Sequence, residues 1–192
     1  MTSPVPEKTF ILIGHPVGHS LSPAIHHAAY AELGLSNHRY VAVDCPDEPA
    51  VRTQFDALRS GSVAGANVTV PWKRLALSLA DDVDSSARET GAANVLRPSV
   101  ETPKASARIV AYNTDVPALA AELRRGRPDA RSALILGNGG AALAAVSACR
   151  ALGIAQPVVT ARKWQGDRSI GWHQADQFEA LGAVPVAWPN DG

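Results

Sequence analysis

Apolar residues along this chain fall into short runs closed by glycine, proline or polar residues, and the runs alternate between strand and helix character. Residues 9–14 (Thr-Phe-Ile-Leu-Ile-Gly) form a nearly continuous apolar run that suits a buried parallel strand. A loop marked by Pro16 and Gly18 follows, and Ser22 before Pro23 reads as N-cap and first helical residue of a helix reaching about Leu33. Residues 38–44 alternate as a second strand, 49–60 suit a helix, and 62–68 suit a third strand. Residues 74–80 read as helical, and the charged stretch Asp81, Asp82, Asp84 reads as a solvated face between helices. The polar stretch 98–107 reads as a hairpin or exposed loop, and 108–112 lead into Asn113-Thr114-Asp115 at a strand end. Residues 116–125 are helical, with Pro117 tolerated in the first turn. Residues 126–131 are the best linker candidate; strands are expected at 132–136, 157–160 and 184–188, with an alanine-rich helix ending near Leu152. Strands alternating with helices predict an α/β protein with a mostly parallel sheet.

Composition narrows the class. The 192 residues suffice for one large domain or two small ones with a core. Eighteen basic residues balance eighteen acidic ones, against the basic excess of a nucleic-acid or membrane-surface protein. No apolar run reaches membrane-spanning length and residues 1–8 carry no secretory pattern, so a cytoplasmic protein is expected. Cys45 and Cys149 lack metal-type spacing and read as two buried reduced thiols. His15 with His19, and the His26-His27 pair, invite a metal reading, but adjacent helical residues point about 100° apart and no zinc-like set accompanies them. No metal is expected.

Four stretches carry chemistry. In Gly65-Ala66-Asn67-Val68-Thr69-Val70-Pro71-Trp72-Lys73 a strand runs into a proline that reads as a helix start. Such a junction either buries a turn under a solvated lysine or projects Asn67, Thr69 and Lys73 into one crevice suited to a small polyhydroxylated ligand. Ser20 and Ser22 stand where helix amides attract a carboxylate, although Ser22 taken alone reads rather as a cap. Gly137-Asn138-Gly139-Gly140-Ala141-Ala142 is a G-x-G-x-x-A dinucleotide motif between a strand and a helix. Where an NAD site carries an acidic residue, Arg162 and Lys163 follow the next strand; they favour the 2′-phosphate of NADP or else lie on a solvated loop.

In order along the chain these motifs resemble those of the shikimate dehydrogenase family. The H-S-x-S-P motif is His19-Ser20-Leu21-Ser22-Pro23, N-V-T-x-P-x-K is Asn67 to Lys73, and G-A-x-N-T is Gly91-Ala92-Ala93-Asn94 with Val95 in place of threonine. N-T-D is Asn113-Thr114-Asp115, and the glycine loop is Gly137 to Ala142. The resemblance implies a shikimate-binding catalytic domain over residues 1–112 and an NADP-binding Rossmann-like domain over 113–192, with the active site in a cleft between them. It implies reversible reduction of 3-dehydroshikimate to shikimate by NADPH, with Lys73 and Asp115 as the catalytic dyad. Ser20 and Ser22 would bind the substrate carboxylate, and Thr69 and Asn94 the ring hydroxyls. Gly137, Asn138, Gly139, Gly140 and Ala141 would cradle the pyrophosphate, and Arg162 and Lys163 the 2′-phosphate.

The alternatives are a quinate or aminoshikimate dehydrogenase, or a non-catalytic ligand-binding or interaction protein. The expected partner is the small-molecule substrate, with no nucleic acid and no membrane, and a second copy of the chain in a homodimer. Departures fall on the cofactor side: Ala111 and Ala118 replace family glycines, and Ala161-Arg162-Lys163 replaces N-R-T. Three strands are expected from residue 132 onward, against about six in a full doubly wound domain, so a shortened form is expected.

Overall fold

The computed structural model describes residues 6–99, 106–166, 168, 172 and 174–189. Contacts divide the chain after Asn113 into two compact units, with Glu89–Gly91 grouped with the second.

The first unit is built on strands β1 (Lys8–Gly14), β2 (His38–Asp44), β3 (Gly65–Val68), β4 (Asp82–Val83), β5 (Val95–Ser99) and β6 (Arg108–Tyr112). Its helices are α1 (Ser22–Glu32), α2 (Glu48–Ser60), α3 (Lys73–Leu79) and α4 (Ser85–Thr90). The strands form one sheet in the order β2-β1-β3-β5-β6-β4. β1 pairs in parallel with both β2 and β3, and β4 with β6; β5 runs antiparallel to β3 and β6. β1 is apolar nearly throughout because it has a strand on each side and packed side chains on both faces: Ile11 and Ile13 face one core, Leu12 the other.

The larger core joins Ile11, Ile13, Val68, Leu96 and Ile109 to Val51, Phe55 and Leu58 of α2. Those three recur at helical spacing, which gives α2 its apolar stripe. Asp47 caps α2 by accepting the Ala50 N–H at 2.9 Å, and Gly61 ends it at φ 79°, where glycine carries no steric penalty. On the opposite face Leu12, Val17 and Tyr40 are buried beside Phe10, Tyr30 and Ala42. α1 lies on that side without burying any residue completely.

The second unit contains α5 (Asp115–Gly126), β7 (Leu134–Leu136), α6 (Gly140–Ala151), β8 (Val158–Thr160), α7 (Ala175–Ala180) and β9 (Val184–Val186). Its described strands form a parallel sheet ordered β7-β8-β9. Leu143 and Val146 of α6, Val159, Trp164 and Phe178 share one core. Trp164 is fully buried, stacked 5.7 Å from Trp172 and edge-on to Phe178 at 5.5 Å. No helix among the described residues is long and apolar enough to cross a membrane.

Several local expectations are corrected. Leu21, not Ser22, is the N-cap of α1, and Pro23 sits in its first turn. Pro71 follows a cis peptide in the turn ahead of α3, whose N-cap is Trp72, so the proline does not open the helix. The acidic stretch lies between α3 and α4 with Asp81 and Asp82 exposed, as expected, and in addition forms β4, an edge strand held by charge pairs. Arg59 contacts Asp81 at 3.0 Å and Arg108 contacts Asp82 at 2.9 Å, while Asp84 accepts the Ser86 N–H at 2.9 Å to start α4. Strands expected at 132–136, 157–160 and 184–188 are three residues each: β7, β8 and β9. The flanks of 98–107 pair as antiparallel β5 and β6, and residues 100–105 lie outside the described residues.

Candidate functional site

In the first unit the carboxyl ends of β1 and β3 converge. Thr69 donates its N–H to the Ile13 carbonyl at 2.8 Å, and His15 donates its N–H to the Val70 carbonyl at 3.1 Å. Gly14 lies in this crossing. A Cβ at Gly14 would stand 2.4 Å from Thr69 Cγ2 and 2.6 Å from Val17 Cγ1, so only hydrogen fits. Around this junction a cavity of about 530 Å³ is lined by His15, His19, Ser20 and Thr69 among others.

The two serines meet beside α1. Ser20 Oγ accepts the Ser22 N–H at 3.2 Å and donates to Ser22 Oγ at the same distance. Two hydroxyls thus lie together at the first turn of an eleven-residue helix, an arrangement that suits a carboxylate.

Lys73 opens α3, and its carbonyl accepts the Ala93 N–H at 2.9 Å, which sets Asn94 next to that helix start. Asn94 is 9% exposed; its carbonyl accepts the Val68 N–H and its own N–H reaches the Tyr112 carbonyl. Asn113 is buried, with Nδ2 donating to the Ala92 carbonyl at 3.0 Å. Asn67 departs from expectation. Its Oδ1 accepts the Tyr40 hydroxyl at 2.7 Å, and it lines a second cavity with Phe10, His26, Tyr30 and Tyr40. Thr69 and Asn67 therefore serve different cavities. Burial, with Tyr30 nearby, pushes the Tyr40 phenol up to about 12, which keeps it a neutral donor.

In the second unit Asp115 is the first residue of α5. β7 runs into Gly137, whose φ of 129° is one that other residues rarely adopt and whose N–H donates to the Thr160 carbonyl at 2.7 Å. Gly139 caps α6 and Gly140 opens it, and a Cβ built on Gly137 or Gly139 meets no atom within 4 Å. The loop is an open cradle before a twelve-residue helix, which fits a dinucleotide pyrophosphate. Arg162 and Lys163 are exposed in the turn after β8. Trp164 holds that turn: its N–H donates to the Ala161 carbonyl at 2.7 Å and its carbonyl accepts the Trp188 N–H at 2.8 Å. The Thr160 hydroxyl, buried at the end of β8, has no hydrogen-bond partner among the described residues. These residues fit a phosphorylated dinucleotide.

Sequence reasoning missed Gly14, Asp44, Tyr40 and Trp164. A glycine ending a strand, an aspartate ending the next and a tryptophan after two cations are each commonplace, and their roles depend on contacts far along the chain. The histidines have other duties than a shared metal. His26 stacks on Tyr40 at 3.9 Å, His27 Nε2 accepts the Tyr40 N–H at 3.1 Å, and His15 Nδ1 lies 3.0 Å from Asp44. Among the described residues no three His, Cys, Asp or Glu side chains gather as a metal site. Cys45 and Cys149 are both free and buried.

Comparison with known proteins places relatives beside this geometry. Residues 12–96 match the family described as shikimate dehydrogenase substrate binding domain. A shikimate dehydrogenase (NADP(+)) of Methanopyrus kandleri is 42% identical over 139 residues, covering 69% of this chain and 44% of that protein. One from Rubrobacter xylanophilus is 39% identical over 183 residues, covering 94% of this chain and 61% of that protein. The crystal structure of shikimate 5-dehydrogenase from Thermus thermophilus, in complex with NADP(H) and shikimate, superposes with a TM-score of 0.76 at 33% identity. That match covers 93% of this chain and 62% of the crystallised one. The chain thus spans less than two thirds of the length of these relatives.

Proposed function

The chain belongs to the shikimate dehydrogenase family, and from that premise we propose that it binds shikimate and 3-dehydroshikimate and interconverts them with NADP. The observation that carries the reading is the cavity in the first unit that Ser20 and Thr69 both line, with the Ser20 and Ser22 hydroxyls 3.2 Å apart. Two lining hydroxyls, with that of Ser22 beside Ser20 at a helix start, match a ligand with one carboxylate and several ring hydroxyls.

In this reading Ser20 and Ser22 hold the carboxylate, and Thr69 and Asn94 hold ring hydroxyls. NADPH, held by Gly137, Asn138, Gly139, Gly140 and Ala141 and by Arg162 with Lys163, would supply the hydride to the carbonyl carbon. Negative charge then grows on the carbonyl oxygen. Lys73 stabilises that charge and delivers the proton, and Asp115 supplies the second acid–base group of the reaction. In the reverse direction Lys73 takes the hydroxyl proton. The domain assignment, residues 1–112 for substrate and 113–192 for cofactor, belongs to the same proposal. So does a cytoplasmic location, tested by cell fractionation.

NADPH absorbance, followed on the purified chain with shikimate and NADP⁺, tests the reaction. Turnover is expected, and Lys73→Ala should lower kcat by about 10²-fold or more. No turnover, together with shikimate binding by calorimetry, would replace the enzyme with a ligand-binding protein. Faster turnover of quinate or aminoshikimate than of shikimate would move the substrate assignment within the family.

Self-association into a homodimer is also part of the proposal. It is supported by β7, which pairs only with β8 among the described residues and leaves Leu134 62% and Leu136 66% exposed.

A further inference from the structure

His15 and Asp44 form a pair at the rim of the Ser20–Thr69 cavity. Asp44 ends β2 directly opposite Gly14 of β1, so the residue after Gly14 hangs beside its carboxylate. Both carboxylate oxygens lie within reach of His15 Nδ1, at 3.0 and 3.1 Å, and Oδ1 also accepts the Val17 N–H at 3.3 Å. The backbone of His15 is tied to Val70, one residue beyond Thr69. The His15 backbone is thus held by Val70 and its imidazole by Asp44, in a residue that lines the cavity.

An ionised carboxylate can only accept hydrogen bonds, so Nδ1 must be the donor in this pair. In a neutral ring that assignment makes Nε2 an acceptor. The serine and threonine hydroxyls of the cavity can donate to a ligand carboxylate; an oriented imidazole acceptor suits a ligand hydroxyl instead.

We propose that His15, oriented by Asp44, is a specificity-determining residue that accepts a hydrogen bond from a ring hydroxyl of the bound acid. Asp44 is its positioning residue. The proposal rests on the reading of this cavity as the substrate site, and the two can fail separately.

The test is calorimetric titration of the full 192-residue chain with two acids, shikimate and cyclohex-1-ene-1-carboxylate, which has the same ring and carboxylate without hydroxyls. His15→Ala should raise the Kd for shikimate by about 5- to 10-fold, the effect of one uncharged hydrogen bond, and leave the hydroxyl-free acid unchanged. Asp44→Ala should raise the shikimate Kd by about 3-fold and add nothing on top of His15→Ala, because it acts through the ring. His15→Asn, which keeps an acceptor oxygen, should recover part of the loss and serves as the second variant should His15→Ala fold poorly. Equal weakening of both acids would assign His15 to the carboxylate and overturn the proposal. Binding lost in Ser20→Ala but unchanged in His15→Ala would overturn it while leaving the substrate reading intact. If the unaltered chain binds neither acid, both readings fall.

Discussion

Gly14 shows how one absent methyl group can govern a site. Its Cα faces the Thr69 side chain so closely that a Cβ would stand 2.4 Å away, nearer than any normal contact. Gly14→Ala should therefore displace Thr69 and Val17, cost about 1–3 kcal/mol in chemical denaturation, and weaken shikimate binding as well. Stability and binding unchanged together would remove Gly14 from the site. Asp81 works through charge. Burial pushes its carboxyl pKa up, but the Ile109 N–H and the Arg59 guanidinium outweigh this and hold it below its ordinary value. A carboxyl depressed in the folded state adds stability above its unfolded pKa and loses it as pH falls through the folded one. Asp81→Asn should cost about 1 kcal/mol near neutrality, and the gap to the parent chain should close below about pH 4. A gap that persists in acid would mean that the charge is not what Asp81 contributes.

At the scale of elements, α2 and the turn after β8 illustrate two kinds of anchoring. α2 is legible in the sequence because its apolar positions and its caps are local. The turn carrying Arg162 and Lys163 is held instead by Trp164, which packs on Trp172 and Phe178 farther along the chain. Trp164→Ala should cost about 3–5 kcal/mol, read as an early loss of helix and strand signal in urea. It should also weaken NADP binding more than shikimate binding. β1, β2 and the glycine loop were likewise legible, since a buried strand and a strand–glycine–helix junction are written in contiguous residues. The start of α1 and the place of Pro71 were not. A serine before a proline resembles a cap, but here Ser20 reaches forward to the Ser22 N–H from outside the helix. The order of the six-stranded sheet depends on pairing residues far apart, such as Asp82 with Val110, which no local pattern encodes. In the cavity, Ser20 and Thr69 were found by motif, whereas the His15–Asp44 pair required the register of two strands.

For the molecule as a whole, the two units differ in how their sheets are finished. In the first, β2 and β4 bound six strands and the larger core is covered by α2 and α3. In the second, apolar Leu134 and Leu136 of β7 face outward, as does much of Val184 in β9. Exposed apolar strand surface favours association with other chains. Sedimentation should show concentration-dependent association that is reduced by the double substitution Leu134→Lys and Leu136→Lys. A chain that stays monomeric at every concentration would show that this surface is tolerated in water.

The distribution of indoles gives the molecule an optical use. Trp72 belongs to the first unit and donates its Nε1–H to the Cys45 carbonyl at 2.7 Å, while Trp164, Trp172 and Trp188 belong to the second. Replacing Trp72 by phenylalanine would leave indole emission from the second unit alone. Subtracting that record from the parent chain's gives the indole emission of Trp72, next in sequence to Lys73. One chain in two versions thus yields a separate fluorescence record for each half, and ligand titrations could be followed in each half by its own light.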